Sequence, residues 1–313
     1  MSSTSPLGGD TRGVYAIAPT PFLQDGAVDH ASLDRLVDFY GSCGVTGLTV
    51  LGQLGEAPKL SHEESVDIVR RVLDRTKVPV VVGVSAPGFG SMKALTAEVM
   101  ALGAAGVMVA PPNTLRTDDQ IVSYYTQVGA ALGPEVPIVL QDYPLTFSVV
   151  MTPGVIGRIV RDVPSVVMLK HEDWPGLEKI SALRAAEAAG EMRRISILCG
   201  NGGLFLDFEM ARGADGAMTG YCFPELLVDV VRLSGEDRAE ELHDLFDAHL
   251  PLIRYEQQAG TGLAVRKHVM VRRGLLSTDK QRVPGRALSD QERREVDLLL
   301  DRLARHDPRA KLP

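Results

Sequence analysis

Cysteine is scarce in this chain of 313 residues: Cys43, Cys199 and Cys222 are an odd number, far apart and without metal-ligand spacing. Reduced thiols of a cytoplasmic protein are the expectation. The seven histidines form no HxxxH or HxH arrangement, so no protein-ligated metal is expected. No block of Lys or Arg interrupts a formal net charge of -7, which excludes nucleic acid and anionic membrane as natural partners. The basic stretch Arg266-Lys267-His268 with Arg272-Arg273 lies in an apolar helical pattern, and a solvated face is expected there. No apolar run approaches membrane-spanning length. Residues 1–12 are rich in Ser, Gly and Thr with no apolar core, and read as a flexible N-terminal tail and not a signal peptide.

What is present is an alternation. Short β-rich runs at 14–18, 47–51, 78–84, 106–110, 136–140, 166–170, 195–199 and 216–219 are separated by helical periods. The helix starts are marked: Asp29 before Leu33 and Leu36, Ser61-His62-Glu63-Glu64 as a capping box, Thr117 to Gln120 as another, and Thr152-Pro153. Eight strand–helix repeats predict a closed (β/α)8 TIM barrel, an α/β fold, over 13–223. A doubly wound nucleotide-binding sheet would need G-x-G-x-x-G after the first strand, where Pro19-Thr20-Pro21-Phe22 stands instead. Residues 224–313 carry only helical patterns, the last capped by Ser289, and are expected to form a C-terminal helical extension packed on the barrel.

The run Ser165-Val166-Val167-Met168-Leu169-Lys170 is a buried parallel strand that ends on a lysine, before His171-Glu172-Asp173-Trp174-Pro175 breaks it. The C-terminal ends of barrel strands form the mouth where barrels keep their chemistry. There a lysine in low dielectric can hold a free amine, the form that attacks a ketone to give a Schiff base. Alternation places Lys170 and Glu172 on one face, and Gln141 and Tyr143 likewise on the preceding strand. These four are the candidate catalytic residues: nucleophile, acid, amide and phenol. An ionised Glu172 would also oppose the loss of the lysine's charge, so the two roles pull against each other. Gly52-Gln53-Leu54-Gly55-Glu56 and Gly200-Asn201 are the candidate substrate-binding residues, because glycine-flanked turns let backbone N–H groups approach an anion such as a carboxylate.

Three stretches resemble the dihydrodipicolinate synthase / N-acetylneuraminate lyase superfamily. They are Gly52-Gln53-Leu54-Gly55-Glu56-Ala57 with the glutamate Glu64 beyond it, Pro137-Ile138-Val139-Leu140-Gln141-Asp142-Tyr143-Pro144 followed by Val167-Met168-Leu169-Lys170, and Gly213-Ala214-Asp215-Gly216-Ala217-Met218-Thr219-Gly220. The resemblance spans about Gly13 to Leu276. It implies a barrel with a helical extension, Lys170 as Schiff-base lysine toward a 2-oxo acid, no cofactor, and a homotetramer. The departures are informative. Gln53 and Leu54 stand where the family has two hydroxyl residues, and Gln141 stands where it has a proton-moving tyrosine. Thr146 replaces the synthases' arginine, and Asn113 their intersubunit tyrosine. The Gln-Asp-x-Pro strand with Lys-x-Glu, and Leu250-Pro251-Leu252-Ile253 with Glu256, Gly260 and Gly262-Leu263 near the C-terminus, are more like 2-keto-3-deoxy-L-arabonate dehydratases, although the Gly52–Glu56 loop is not. The expectation is therefore a lyase, dehydratase or aldolase, for a 2-keto-3-deoxy sugar acid. The alternatives are a dihydrodipicolinate synthase joining pyruvate and aspartate semialdehyde, and a barrel that binds a 2-oxo acid without turning it over.

Overall fold

The computed structural model describes residues 7–312. Eight parallel strands close on themselves in chain order, each paired with the next and the eighth with the first. They are β1 (Gly13–Ile17), β2 (Gly47–Val50), β3 (Val80–Gly83), β4 (Gly106–Val109), β5 (Ile138–Asp142), β6 (Val166–His171), β7 (Ser196–Cys199) and β8 (Gly216–Ala217). The helices between them are α1 (His30–Ser42), α2 (His62–Arg75), α3 (Phe89–Ala101), α4 (Asp118–Leu132), the short α5 (Pro144–Phe147), α6 (Pro153–Asp162), α7 (Leu177–Ala188) and α8 (Leu206–Ala211). The fold is a (β/α)8 barrel with further helices at the C-terminus.

The helices begin where the side chains supply acceptors for free backbone N–H groups. Asp29 accepts from the Ser32 amide, and Ser61 with Glu64 and Thr117 with Gln120 close reciprocal capping boxes. Each such cap is worth about 1 kcal/mol.

Alternation divides the strand side chains between two cores. Val14, Ala16, Val80 and Val82 face the helices, whereas Tyr15, Ile17, Val81, Met108, Val139, Met168, Leu198 and Met218 fill the barrel interior. Two residues further along each strand the same inward face reaches the mouth. Val139 is thus followed by Gln141 and Tyr143, Met168 by Lys170 and Glu172, Leu198 by Gly200, and Met218 by Gly220. Leu7 is buried in the inner cluster, and Ser196 donates to the Thr11 carbonyl. Residues 7–12 therefore pack on the bottom of the barrel, unlike the flexible tail expected of them, because the open N-terminal end of the inner core needs an apolar cover. Residues 1–6 of that tail lie outside the described residues.

After β8 come α9 (Pro224–Gly235), α10 (Ala239–Glu256), α11 (Gly262–Arg272) and α12 (Asp290–Leu303). The sequence boundary at 223 needs shifting, because α9 packs on β1 and β8 and completes the outer ring. The extension proper starts near α10. A second correction concerns α11. Its residues Ala264 to Met270 are all buried, including Arg266, Lys267 and His268, so no solvated face exists there. A helix buried all round can carry charges only where partners come from elsewhere in the fold. Arg266 pairs with Glu256, and Lys267 with Glu56 across 211 residues of chain. Among the described residues no helix is long and apolar enough to cross a membrane.

Candidate active site

The register pairs Gln141 with Lys170 and Asp142 with His171, so two inward side chains stand abreast while their neighbours turn outward. Outside, Asp142 accepts from Lys179 at 2.7 Å and His171 contacts the Gly176 carbonyl at 3.1 Å. Inside, the Lys170 Nζ lies 2.8 Å from Glu172 Oε2, and Gln141 donates to the same oxygen at 2.8 Å. The lysine and glutamate side chains are only 4% and 6% exposed, so this ion pair is shielded from water on every side but one. That side is a cavity of about 340 Å³ at the mouth of the barrel.

Of the residues singled out from the sequence, Lys170, Glu172, Gln141, Tyr143, Gln53, Leu54 and Asn201 line this cavity. The other four, Gly52, Gly55, Glu56 and Gly200, do not line it. A Cβ on Gly200 would come 2.1 Å from Glu172 Cγ, so the missing side chain is what leaves room for the carboxylate. Asn201 holds the same residue twice, its side chain donating to the Glu172 carbonyl at 2.9 Å and its amide approaching Oε1 at 3.4 Å. A Cβ on Gly52 would make ordinary contact with Met108 and Ile17, and Gly55 donates back to the Gly52 carbonyl. Glu56 was expected among the substrate-binding residues, but its carboxylate is turned from the cavity. It accepts from Lys267 at 2.6 Å, Lys59 at 2.8 Å and the Arg282 amide at 3.1 Å. In the same loop the amides of Gly55, Glu56 and Ala57 are used internally. Those of Gln53 and Leu54 have no acceptor among the described residues, and both residues line the cavity.

Tyr143 lies beside Thr146, which also lines the cavity. Burial pushes the Tyr143 phenol above its usual pKa, with the hydroxyl of Thr146 acting against that rise and the nearby Glu172 charge adding to it. Tyr143 is thus a proton donor and not a base near neutrality. Asn113 is exposed, its carbonyl accepting from Arg116, and it does not reach this cavity.

The remaining wall comes from residues to which sequence reasoning assigned no site role, although Thr219, Glu256, Gly260, Gly262 and Leu263 are among those that carry the family resemblance. Glu256 to Gly260, Gly262, Leu263 and Arg266 arrive from the α10–α11 turn and α11, and Gln281, Pro284 and Gly285 from the segment before α12. Thr219 contributes a hydroxyl that accepts from the Gly202 amide at 2.8 Å. The signals for these were the resemblance at Glu256, Gly260 and Gly262-Leu263 and the Arg266-Lys267 pair, two cations inside an apolar helical pattern. Counted together, Gln53, Gln141, Asn201, Gln257, Gln258 and Gln281 surround the cavity with neutral amides. Amides both donate and accept, which suits hydroxyl groups better than bare charges. Among the described residues no group of three or more His, Cys, Asp or Glu could hold a metal ion.

A closed parallel barrel with a buried lysine–carboxylate pair opening on a mouth cavity defines a class, the lysine-dependent lyases that work through a Schiff base. The chain belongs to the dihydrodipicolinate synthetase family, whose model matches residues 10–303. It is 29% identical over 307 residues to the L-2-keto-3-deoxyarabonate dehydratase of Azospirillum brasilense, covering 93% of this chain and 94% of that one. It is 34% identical over 213 residues to the 4-hydroxy-tetrahydrodipicolinate synthase of Sorangium cellulosum, covering 66% and 67% of the two chains. Among solved structures, the dihydrodipicolinate synthase of Rhodopseudomonas palustris is 61% identical and superposes with a TM-score of 0.94, over 95% of this chain and 99% of that one.

Proposed function

We propose that this lyase acts on a 2-keto-3-deoxy sugar acid, forming its Schiff base on Lys170. The observation that carries the reading is the buried Lys170–Glu172 contact of 2.8 Å, open on one side to the amide-lined cavity. The short contact gives the ammonium proton a place to go. As it passes to Glu172, the freed amine adds to C2 of the keto acid. Glu172 returns that proton to the departing hydroxyl of the carbinolamine, which leaves as water, and the protonated imine forms.

The imine then draws electrons from C3. Glu172, ionised again and no longer facing an ammonium, takes a C3 proton to give the enamine. In a dehydratase the enamine pushes out the C4 hydroxyl, which leaves as water with the proton Glu172 holds. In an aldolase the C3 proton stays: the C4 hydroxyl of the protonated imine is deprotonated, C3–C4 breaks, and the electrons of that bond pass into the imine, giving the enamine and an aldehyde. Gln141 keeps the Glu172 carboxylate oriented through both transfers, and Tyr143 is placed to donate to the leaving oxygen. The imine is itself the electron sink, so no cofactor enters this scheme.

The name of the Azospirillum relative supports the dehydratase form, as do the amides of the cavity wall. A second reading, dihydrodipicolinate synthase, is favoured by the name of the 61% identical structure. Against it, Thr146 offers no cation to an aldehyde substrate's carboxylate. The deciding experiment has two parts. Pyruvate with borohydride, followed by peptide mapping, should place a stable adduct on Lys170; no adduct there with any 2-oxo acid overturns the reading. Turnover is then compared between 2-keto-3-deoxy sugar acids and pyruvate plus aspartate semialdehyde, with the former expected to react. The same reading extends to a homotetramer, which light scattering checks.

A further inference from the structure

Most of the neutral amides in the cavity wall are already committed. Gln141 donates to Glu172, Asn201 to the Glu172 carbonyl, Gln258 to the Tyr255 carbonyl and Gln281 to the Arg286 carbonyl. The side chains of Gln53 and Gln257 make no hydrogen bond among the described residues, although both residues line the cavity. Gln53 is exposed, whereas Gln257 is half-buried where α10 ends. A partly dehydrated amide with its donor and its acceptor both free is an unfilled hydrogen-bonding site.

The two oxygens of Glu172 say which part of a substrate meets it. Oε2 faces Lys170 and Gln141, each at 2.8 Å, and Oε1 faces the Asn201 amide at 3.4 Å. Gly202 follows, with φ at +64°, and its amide donates to the Thr219 hydroxyl at 2.8 Å. A Cβ on Gly202 would come 1.9 Å from Gln257 Nε2 and 2.6 Å from its Cδ. The Gln257 amide therefore occupies the space that a side chain at 202 would take. Lys170, the Glu172 carboxylate, the Asn201–Gly202 turn and the Gln257 amide succeed one another along the wall. An extended 2-oxo acid with C2 on Lys170 and with C3 and C4 against Glu172 brings its C5 substituent to the next place in that order.

We propose that Gln257 is a specificity-determining residue whose amide binds the C5 hydroxyl, so that the site takes 2-keto-3-deoxy acids of five or more carbons with oxygen at C5. A hydroxyl both donates and accepts, as the amide does. An apolar tail of the same length would leave the amide dehydrated and unpaired, which is what makes the contact selective. Gln257 makes no hydrogen bond to Lys170 or Glu172, so imine formation proceeds without it. The barrel strands thus supply the reacting groups, and the extension selects the tail. The inference rests on the reading of this cavity as the site of a 2-keto-3-deoxy sugar acid.

The test uses three 2-oxo acids without a C4 hydroxyl: pyruvate, 2-oxopentanoate and 5-hydroxy-2-oxopentanoate. The last two differ only at C5. Borohydride capture on Lys170 is followed as each acid is titrated, and the same solutions serve wild type and variants, so that ring closure of the hydroxy acid cancels. Gln257→Leu, close in size but apolar, should raise the half-capture concentration of the hydroxy acid about fivefold, the loss of one neutral hydrogen bond. Pyruvate and 2-oxopentanoate should be captured as before. Gly202→Ala keeps the glutamine but pushes its amide aside, and should reproduce the selective loss. An unchanged response to the hydroxy acid in Gln257→Leu overturns the proposal. So does an equal loss of all three acids, which would mean that Gln257 only shapes the cavity. If wild-type protein forms no adduct with any of the three, the Schiff-base reading falls. Calorimetric titration of the two five-carbon acids then decides this inference by itself: a preference for the hydroxy acid that Gln257→Leu removes sustains it, and no such preference ends it.

Discussion

Two buried lysine–glutamate pairs stand near the mouth of this barrel, and their surroundings differ in kind. Lys267 and Glu56 meet at 2.6 Å, Lys170 and Glu172 at 2.8 Å. Lys267 also donates to the Lys280 carbonyl and lies 4.6 Å above the centre of the Phe22 ring, while Glu56 is shared with Lys59 and the Arg282 amide. Every direction around that pair is occupied. Lys170 has a single partner among the described residues, and its other side is cavity. Burial lowers the pKa of Lys267, with Glu56 opposing the shift, yet Lys267 does not line the cavity. What sets Lys170 apart is an unfilled approach path, and that is the basis for proposing it as the reactive lysine. The saturated pair ties the strand-two loop to the extension; the proposed function requires the other pair to exchange a partner for substrate.

The comparison breaks most sharply at the two lysines. Lys170→Ala should abolish borohydride-trapped adduct and lower turnover by roughly a thousandfold or more, since removing the nucleophile leaves only binding. Mass mapping that finds the adduct on Lys267 would invert the assignment. Lys267→Met should leave the adduct on Lys170 intact. It should instead cost about 3 kcal/mol of stability, read from denaturant midpoints. That is the low end for a broken buried pair, because Lys59 and the Arg282 amide stay with Glu56. Next in size, Glu172→Gln should reduce kcat about a hundredfold through loss of proton transfer. Gly200→Ala should reproduce it, because the new Cβ, 2.1 Å from Glu172 Cγ, drives the carboxylate aside. If Gly200→Ala keeps full activity, the carboxylate position shown here is not the working one.

The framework was far more legible than the wall of the site. Strand runs and the caps at Asp29, Ser61, Thr117, Thr152 and Ser289 are local patterns, and all five side chains accept the backbone bond expected of a cap. The shared face of Lys170 and Glu172 follows from strand alternation, which continues through His171. Gly200 looked like a ligand-facing glycine because sequence gives no hint that a glutamate 28 positions earlier needs its space. Glu56 looked like part of an anion loop because its partner is 211 residues away. Arg266 and Lys267 looked solvated for the same reason. A charge inside an apolar period is ambiguous until the fold shows whether its counter-charge is near. The contribution of the extension to the cavity therefore showed only in the family resemblance at Glu256, Gly260 and Gly262-Leu263, while the barrel beneath it was plain.

The smallest effect sharpens the framework side of the comparison. Glu64 closes the α2 capping box and accepts twice from Arg282, whose own amide holds Glu56. The Arg282 guanidinium is the main reason that the Glu64 carboxyl is held down at about 2, with burial opposing it and the Ser61 amide helping. A folded-state pKa below that of the unfolded chain stabilises the fold where the group is ionised in both states. The contribution is therefore complete above about pH 4.5 and disappears as the pH falls through 2. Glu64 and Arg282 are 32% and 19% exposed, so solvent screening leaves about 1 kcal/mol. Glu64→Gln should lower the unfolding free energy by that amount at pH 7, read from denaturant titration, with the gap closing between pH 4.5 and pH 2. Capture of pyruvate on Lys170 at pH 7 should not change. A slower capture would show that the saturated network tunes the reactive pair across the mouth, and the two regions could no longer be treated as separate.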